Sequence, residues 1–216
     1  MTGLEAAAVI FDMDGVLLDS GVHHRDAWRL LLSDLGVTPG PDFWRCTIGR
    51  PAEEAVALLL DRALSEAEAS ALARRKREHY GRLAARGTLP VLGAPGFVTT
   101  LARHGVPRAV ASSASRDDVE AMLSRIGVRE HFEVVVTAED VRWGKPNPEV
   151  FLRAAAGLGQ PPAACLVFED AVVGIHAARN AGMRVIGVTT AHTARELLAA
   201  GAERAVPNFE ALSWPV

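Results

Sequence analysis

The stretch Ala6-Ala7-Ala8-Val9-Ile10-Phe11-Asp12-Met13-Asp14-Gly15-Val16-Leu17-Leu18-Asp19-Ser20 decides the fold. It opens on a continuous apolar run that stops abruptly at Asp-Met-Asp-Gly. A short apolar run without alternation, bounded by turn residues, reads as a strand buried on both faces, as strands are in parallel sheets. Similar runs recur at Arg108–Ala111 before Ser112-Ser113, at Val134–Thr137, at Leu166–Phe168 before Glu169-Asp170, and at Val185–Val188. Helical patterns lie between them. Gly93–His104 has Phe97 and Leu101 four apart, and Asp117–Ile126 carries Val119, Met122, Leu123 and Ile126. Pro148–Leu158 and Ala171–Ala181 follow, the second closed by Gly182 as a stop signal. Strands alternating with helices of this length imply βαβ units and an open parallel sheet.

The middle of the chain has another texture. From Val22 to Arg86 the periodicity is helical only: Trp28, Leu31, Leu32 and Leu35, then Ala55–Leu60, then Glu66–Leu83. Gly36-Val37-Thr38-Pro39-Gly40-Pro41 and Gly49-Arg50-Pro51 break it, with Pro51 expected at the first helical position, where a missing N–H does no harm. The last of these helices bears Arg74, Arg75, Lys76, Arg77 and Arg82, interleaved with Glu66, Glu68 and Glu78. This is either a solvated face or a face with one or two cations turned toward an anion. The expected organisation is an α/β unit of residues 1–19 and 87–216, interrupted by a helical insert of residues 20–86.

Composition narrows the function classes. The 216 residues carry 23 Lys+Arg against 26 Asp+Glu, a formal net charge of −3. Without a broadly basic face, a sequence-independent nucleic-acid or membrane-surface binder is not expected. With 49% hydrophobic and 23% charged residues, a sizeable core can be buried; aromatics are only 6%, so that core should be mostly Ala, Val and Leu. Cys46 and Cys165 lie far apart and read as two reduced thiols. The N-terminus has no basic segment before its apolar run, and no apolar stretch approaches the ~18 residues needed to span a bilayer. A soluble cytoplasmic protein is expected, either a monomer or a small homo-oligomer.

The unusual polar residues gather at strand ends. Asp12 and Asp14 follow the first strand, Ser112 and Ser113 the second, and Glu169 and Asp170 the fourth; Lys145 lies in the loop after the third. Ligands of open α/β sheets bind outside the carboxyl ends of the strands, so all these groups should meet at one edge. Carboxylates crowded there repel, a pair at about 4 Å by roughly 4 kcal/mol at an effective dielectric of about 20. A hard divalent cation with oxygen ligands removes that cost, and Mg²⁺ is usually held by carboxylates plus substrate phosphate. Lys145 and the serine hydroxyls supply donors for a phosphate. A carboxylate can attack phosphorus, and a second can give a proton to the leaving oxygen and take one from water. Gly15 leaves room for main-chain N–H groups near phosphate oxygens. Each piece alone is also ordinary: Asp-x-Asp-Gly makes polar turns, and Ser112–Ser115 and Glu169-Asp170 can cap helices. Their joint order at strand ends is not.

Phe11-Asp12-Met13-Asp14-Gly15-Val16-Leu17-Leu18-Asp19-Ser20, Ala111-Ser112-Ser113, Gly144-Lys145-Pro146 and Phe168-Glu169-Asp170 resemble the four motifs of the haloacid dehalogenase superfamily. The resemblance covers essentially the whole chain. It points to the beta-phosphoglucomutase-like phosphatases, with a Rossmann-like core and a helical-bundle cap inserted after the first motif. It implies Asp12 as nucleophile and Mg²⁺ ligand, and Asp14 as general acid/base that also gives the metal its main-chain carbonyl. Ser112 and Lys145, with Ser113 beside them, would bind the transferring phosphoryl group; Glu169 and Asp170 would complete the metal site. A true dehalogenase typically lacks the second aspartate, so Asp14 favours phosphoryl transfer.

Substrate choice should then lie in the insert. Asp19-Ser20-x-x-x-His24-x-x-Ala27-Trp28 resembles the first cap helix of beta-phosphoglucomutase, and Lys76 and Tyr80 resemble its last. The mutase pattern has an arginine where this chain has Ala52, with Arg50 instead directly after Gly49. His24, Arg50 and Lys76 are the candidate substrate residues. The expected activity is Mg²⁺-dependent hydrolysis of a small phosphorylated metabolite, a sugar phosphate, through an aspartyl-phosphate on Asp12. A beta-phosphoglucomutase-type isomerase is the alternative. A receiver-like signalling module is a remote one, at odds with the motif order and the insert.

Overall fold

The computed structural model describes residues 6–85, 87 and 89–216. Residues 1–5 and Thr88 of the expected core, and Arg86 of the expected insert, lie outside the described residues. Six parallel strands form one sheet: β1 (Ala8–Phe11), β2 (Arg108–Ala111), β3 (Val134–Val136), β4 (Cys165–Glu169), β5 (Arg184–Val188) and β6 (Arg204–Val206). Their order is β3-β2-β1-β4-β5-β6. The chain thus builds outward on one side of β1, then returns to build outward on the other. The carboxyl ends of β1 and β4 flank the point of reversal, where open sheets of this kind leave a crevice.

Five strands follow the apolar runs. The sixth was not expected from the sequence, because Arg204-Ala205-Val206 is a short edge strand with an exposed arginine. With only Val206 buried, it lacks the unbroken apolar run that marks the other five strands.

Eight α-helices accompany the strands among the described residues. Three fall within residues 20–86: α1 (Gly21–Asp34), α2 (Ala52–Leu60) and α3 (Glu66–Ala84). The others are α4 (Ala94–Arg103), α5 (Arg116–Arg125), α6 (Glu149–Gly157), α7 (Val172–Asn180) and α8 (Ala194–Ala199). Pro51 corrects one expectation. It precedes the first helical position, with φ −55° and ψ 144°, because its ψ is extended and the turn from Gly49 has not yet closed. Ser115 caps α5 by accepting from the Asp118 N–H, and Gly182 stops α7 at φ +77°.

The two faces of the sheet are packed differently. Alternation along β1 sends Val9 and Phe11 to one side, Ala8 and Ile10 to the other. On the first side five of the seven phenylalanines, Phe11, Phe97, Phe132, Phe168 and Phe209, meet in one cluster. Phe11 stacks on Phe168 with ring centroids 5.3 Å apart. The opposite face matches the Ala-rich core expected from composition. Ala8, Ala109 and Ala111 meet Ala154, Ala155, Ala177 and Ala178, so α6 and α7 can lie close to the sheet. The scarcity of aromatics is therefore uneven, with one face holding most of the phenylalanines.

Helices α1–α3 surround their own small cluster of Trp28, Leu31, Ala55 and Val56. The basic residues of α3 divide their roles. Arg75 pairs with Asp34 at 2.9 Å and Arg77 with Glu53 at 3.1 Å, tying α3 to α1 and α2. Lys76 alone of the run is buried.

Phe11 supports β1 where the first acidic residues begin. Phe11→Ala removes a fully buried ring and should cost about 3–5 kcal/mol. A reduced midpoint in urea unfolding, with unchanged slope, is the expected result.

Candidate active site

The β1–β4 register pairs Phe11 with Phe168, so the next residues, Asp12 and Glu169, stand side by side. The Asp12 N–H donates to the Phe168 carbonyl at 3.0 Å, holding that pairing past the end of β1. Adjacent parallel strands are ~4.8 Å apart, so the two acids cannot avoid each other. Lys145 Nζ reaches both, donating to Asp12 Oδ1 at 2.6 Å and Glu169 Oε1 at 2.7 Å. The other Glu169 oxygen accepts from the Ala171 N–H at 2.7 Å. Asp170 completes the group. Its carboxylate packs against the turn at Gly15, where φ is +76° and a Cβ would fall on the Asp170 side chain. Thr190 Oγ1 lies 2.5 Å from the Gly15 carbonyl oxygen and 3.2 Å from Asp170 Oδ2.

This cluster holds more negative charge than its one lysine offsets. Burial pushes Asp12 up to about 7, against the pull of Lys145. Burial, then Glu169 and Asp12, hold Asp170 well above the usual carboxylate range. Burial alone would lower Lys145, but Asp12 and Glu169 raise it, so it stays charged. One ligand oxygen from each of Asp12, Glu169 and Asp170 lies within 4.8 Å of the others. Three buried oxygen donors with unbalanced charge fit a hard divalent cation such as Mg²⁺. Asp14, expected among the metal residues, is not in this group by its side chain.

The Asp14 carboxylate turns instead toward α1. Ser20 Oγ donates to Asp14 Oδ1 at 2.5 Å, and His24 Nε2 lies 3.0 Å from the same oxygen. Burial would raise Asp14, but His24 and Ser20 outweigh it and hold the acid at about 2. His24 stacks on Tyr80 with centroids 4.3 Å apart, and its Nδ1 meets Lys76 Nζ at 2.7 Å. Burial brings Lys76 down to about 8. Of the three candidate insert residues, His24 and Lys76 thus converge on the strand-end acids. Arg50 lines the same cavity without forming an ion pair among the described residues.

Both serines line this cavity of about 660 Å³. Ser112 is buried, its Oγ accepting from the Ala114 N–H at 3.1 Å, while Ser113 Oγ donates to the Gly49 carbonyl at 3.4 Å. Ser113 therefore bridges to the insert. Sequence reasoning missed Thr190, which follows β5 as the acids follow β1 and β4, so the strand-end rule could have found it. It also missed Arg25 and Trp44, which line the cavity from the insert and carry no motif signal.

A model of the haloacid dehalogenase-like hydrolases matches residues 6–182. The chain belongs to that family. It is similar to a validoxylamine A 7′-phosphate phosphatase of Streptomyces hygroscopicus subsp. limoneus, 36% identical over 95% of each chain. A fructose-1-phosphate phosphatase of Escherichia coli is 35% identical over 84% of this chain and 96% of its own. A solved beta-phosphoglucomutase of Clostridium difficile superposes with a TM-score of 0.85, at 28% identity over 97% of this chain and 94% of that one. The fold is thus the haloacid dehalogenase-like one, and the chain is an enzyme of that hydrolase family. Among the described residues no helix is long and apolar enough to cross a membrane.

Gly15→Ala would force a side chain onto Asp170. The expected outcome is a folded protein whose thermal stabilisation by Mg²⁺ needs about tenfold more cation than the parent. Differential scanning fluorimetry against Mg²⁺ concentration measures it.

Proposed function

We propose that the protein is a Mg²⁺-dependent phosphomonoester hydrolase acting on a small phosphorylated polyol, with Asp12 as nucleophile. The observation that carries this reading is the buried set Asp12, Glu169 and Asp170 bridged by Lys145, with Asp14 two residues beyond the nucleophile. Residues 20–86 serve as a cap over a core of residues 1–19 and 87–216.

Asp12, Glu169 and Asp170 would hold the Mg²⁺, with the Asp14 main-chain carbonyl as the resemblance implies. When bound, the ion supplies charge neutralisation for the phosphoryl oxygens and lets the buried carboxylates stand ionised. Lys145 keeps Asp12 oriented and, with Ser112 and the N–H groups of the Asp12–Gly15 turn, receives the phosphoryl group. An Asp12 oxygen forms a bond to phosphorus as the ester bond to the substrate oxygen breaks, and that oxygen takes a proton from Asp14. Water then attacks the aspartyl-phosphate, its proton passes to Asp14, and inorganic phosphate leaves with Asp12 regenerated. His24 and Ser20 hold Asp14 ionised, the form that accepts the proton from water. An arriving phosphate anion favours the protonated form, which the first step requires.

The phosphorylated sugars and sugar-like compounds named for the two phosphatase relatives support a polyol phosphate as substrate. Two free thiols suit a reducing, cytoplasmic setting. The second reading, a phosphosugar mutase, draws on the closeness of His24 and Lys76 to Asp14 and on the mutase neighbour. Measuring isomerised sugar phosphate against free phosphate from beta-glucose 1-phosphate, with a bisphosphate primer, separates the two.

Asp12→Asn keeps the volume of the side chain and removes the nucleophile. It should lower kcat by about 10⁴-fold or more while the circular dichroism spectrum stays unchanged. Turnover at the parent rate would overturn the assignment.

A further inference from the structure

The cavity is also lined by Arg25 on α1, Trp44, Arg50, and Glu53 and Glu54 on α2. Arg25 follows His24 in the sequence, so it projects to the side of the residue that meets Asp14. Its guanidinium lies over the Trp44 ring, 5.9 Å from the centroid. Its Nε is buried and has no hydrogen-bond partner. Among the described residues no carboxylate pairs with Arg25, whereas Arg77, which also lines the cavity, is taken up by Glu53 at 3.1 Å. A buried donor without an acceptor is costly to keep. Its place in the cavity wall marks a position where a ligand atom supplies the acceptor.

We propose that Arg25, laid on Trp44, is a specificity-determining residue that binds an oxygen of the substrate's alcohol portion, at the end remote from the phosphate ester. The substrate class is the phosphate esters of polyhydroxylated ring compounds that reach from Asp12 to Trp44. This rests on the phosphohydrolase reading above and adds to it the group that selects the alcohol.

Three features favour hydroxyls over a second phosphate. Glu53 and Glu54 line the cavity beside Arg25 and Arg50, offsetting the positive charge that a second phosphate would need, and their carboxylates accept from hydroxyls. A wall offering both donors and acceptors matches a group that does both. The indole face of Trp44 offers an apolar surface for the C–H face of a ring. Space agrees. The cavity of about 660 Å³ falls within the ~300–1,000 Å³ usual for small-ligand sites.

The test compares the parent protein with Arg25→Met and Arg25→Gln, both of which retain an unbranched stem against Trp44. Steady-state kcat and KM are measured with Mg²⁺ for glucose 6-phosphate, trehalose 6-phosphate, fructose 1,6-bisphosphate and p-nitrophenyl phosphate, the last without hydroxyls on its alcohol. The expected result is a parent preference for a hydroxylated monophosphate over p-nitrophenyl phosphate. In both variants KM for that ester should rise about tenfold while kcat changes less than about threefold, and the preference ratio should fall accordingly. An unchanged ratio in the variants overturns the assignment of Arg25. A parent preference for the bisphosphate overturns the hydroxyl reading. Hydrolysis of p-nitrophenyl phosphate alone overturns this inference and leaves the phosphohydrolase reading standing; hydrolysis of none of the four overturns both.

Discussion

Two parallel strands in fixed register bring Asp12 and Glu169 side by side in a buried place, and most of the site follows from that crowding. Parallel pairing leaves no freedom to slide one acid past the other, since a one-residue slip would send every side chain of β1 to the wrong face. The phenylalanine cluster holds the register, because Phe11 and Phe168 must stay opposed to stack. With the acids fixed, Lys145 has to lie between them, and its Nζ is accordingly enclosed by two carboxylates and the Ala111 carbonyl. Asp170 adds a third buried carboxyl, which burial and its acidic neighbours hold well above the usual carboxylate range. The arrangement is therefore poised for a further cation and an anion together, which is what Mg²⁺ and a phosphate ester provide.

The second constraint is the division of the two aspartates. Asp12 belongs to the charge-crowded strand end and is pushed up; Asp14, past the turn, faces Ser20 and His24 and is pulled down. Two carboxylates two residues apart thus have opposite proton affinities, set by the direction in which the Gly15 turn splays them. Separating acid behaviour in this way lets neighbouring groups take different roles in one reaction.

Much of this was legible in the sequence, for physical reasons. Strands buried on both faces announce themselves as unbroken apolar runs, and the residues that end them were placed at one sheet edge by the geometry of parallel βαβ units. That accounts for Asp12, Ser112, Lys145, Glu169 and Asp170. The edge strand β6 was illegible because only one residue of its three is buried. Arg25 and Trp44 were illegible because their meaning lies in a contact between α1 and the segment Phe43–Thr47, which no spacing encodes. The basic run of α3 was ambiguous in sequence, since adjacent residues on a helix face different ways; the structure gives its members to different partners. Composition rightly pointed to a core mostly of Ala, Val and Leu, but a total cannot show that five of the seven phenylalanines lie on one face of the sheet.

The seam between the insert and the sheet edge mixes side-chain and main-chain contacts: Arg45 pairs with Glu196 at 2.5 Å, and Arg125 donates to the Ala84 carbonyl at 2.6 Å. Ser113 donates to a main-chain carbonyl at Gly49, and Gly144 presents bare backbone to Pro51, where a Cβ would meet the ring. At these two points the contact depends on the path of the chain rather than on the identity of the insert's side chains. Insert residues that line the cavity away from these points can therefore change without disturbing that contact. The strand-end acids and these contacts would then be inherited together, while the rest of the cavity wall is free to drift.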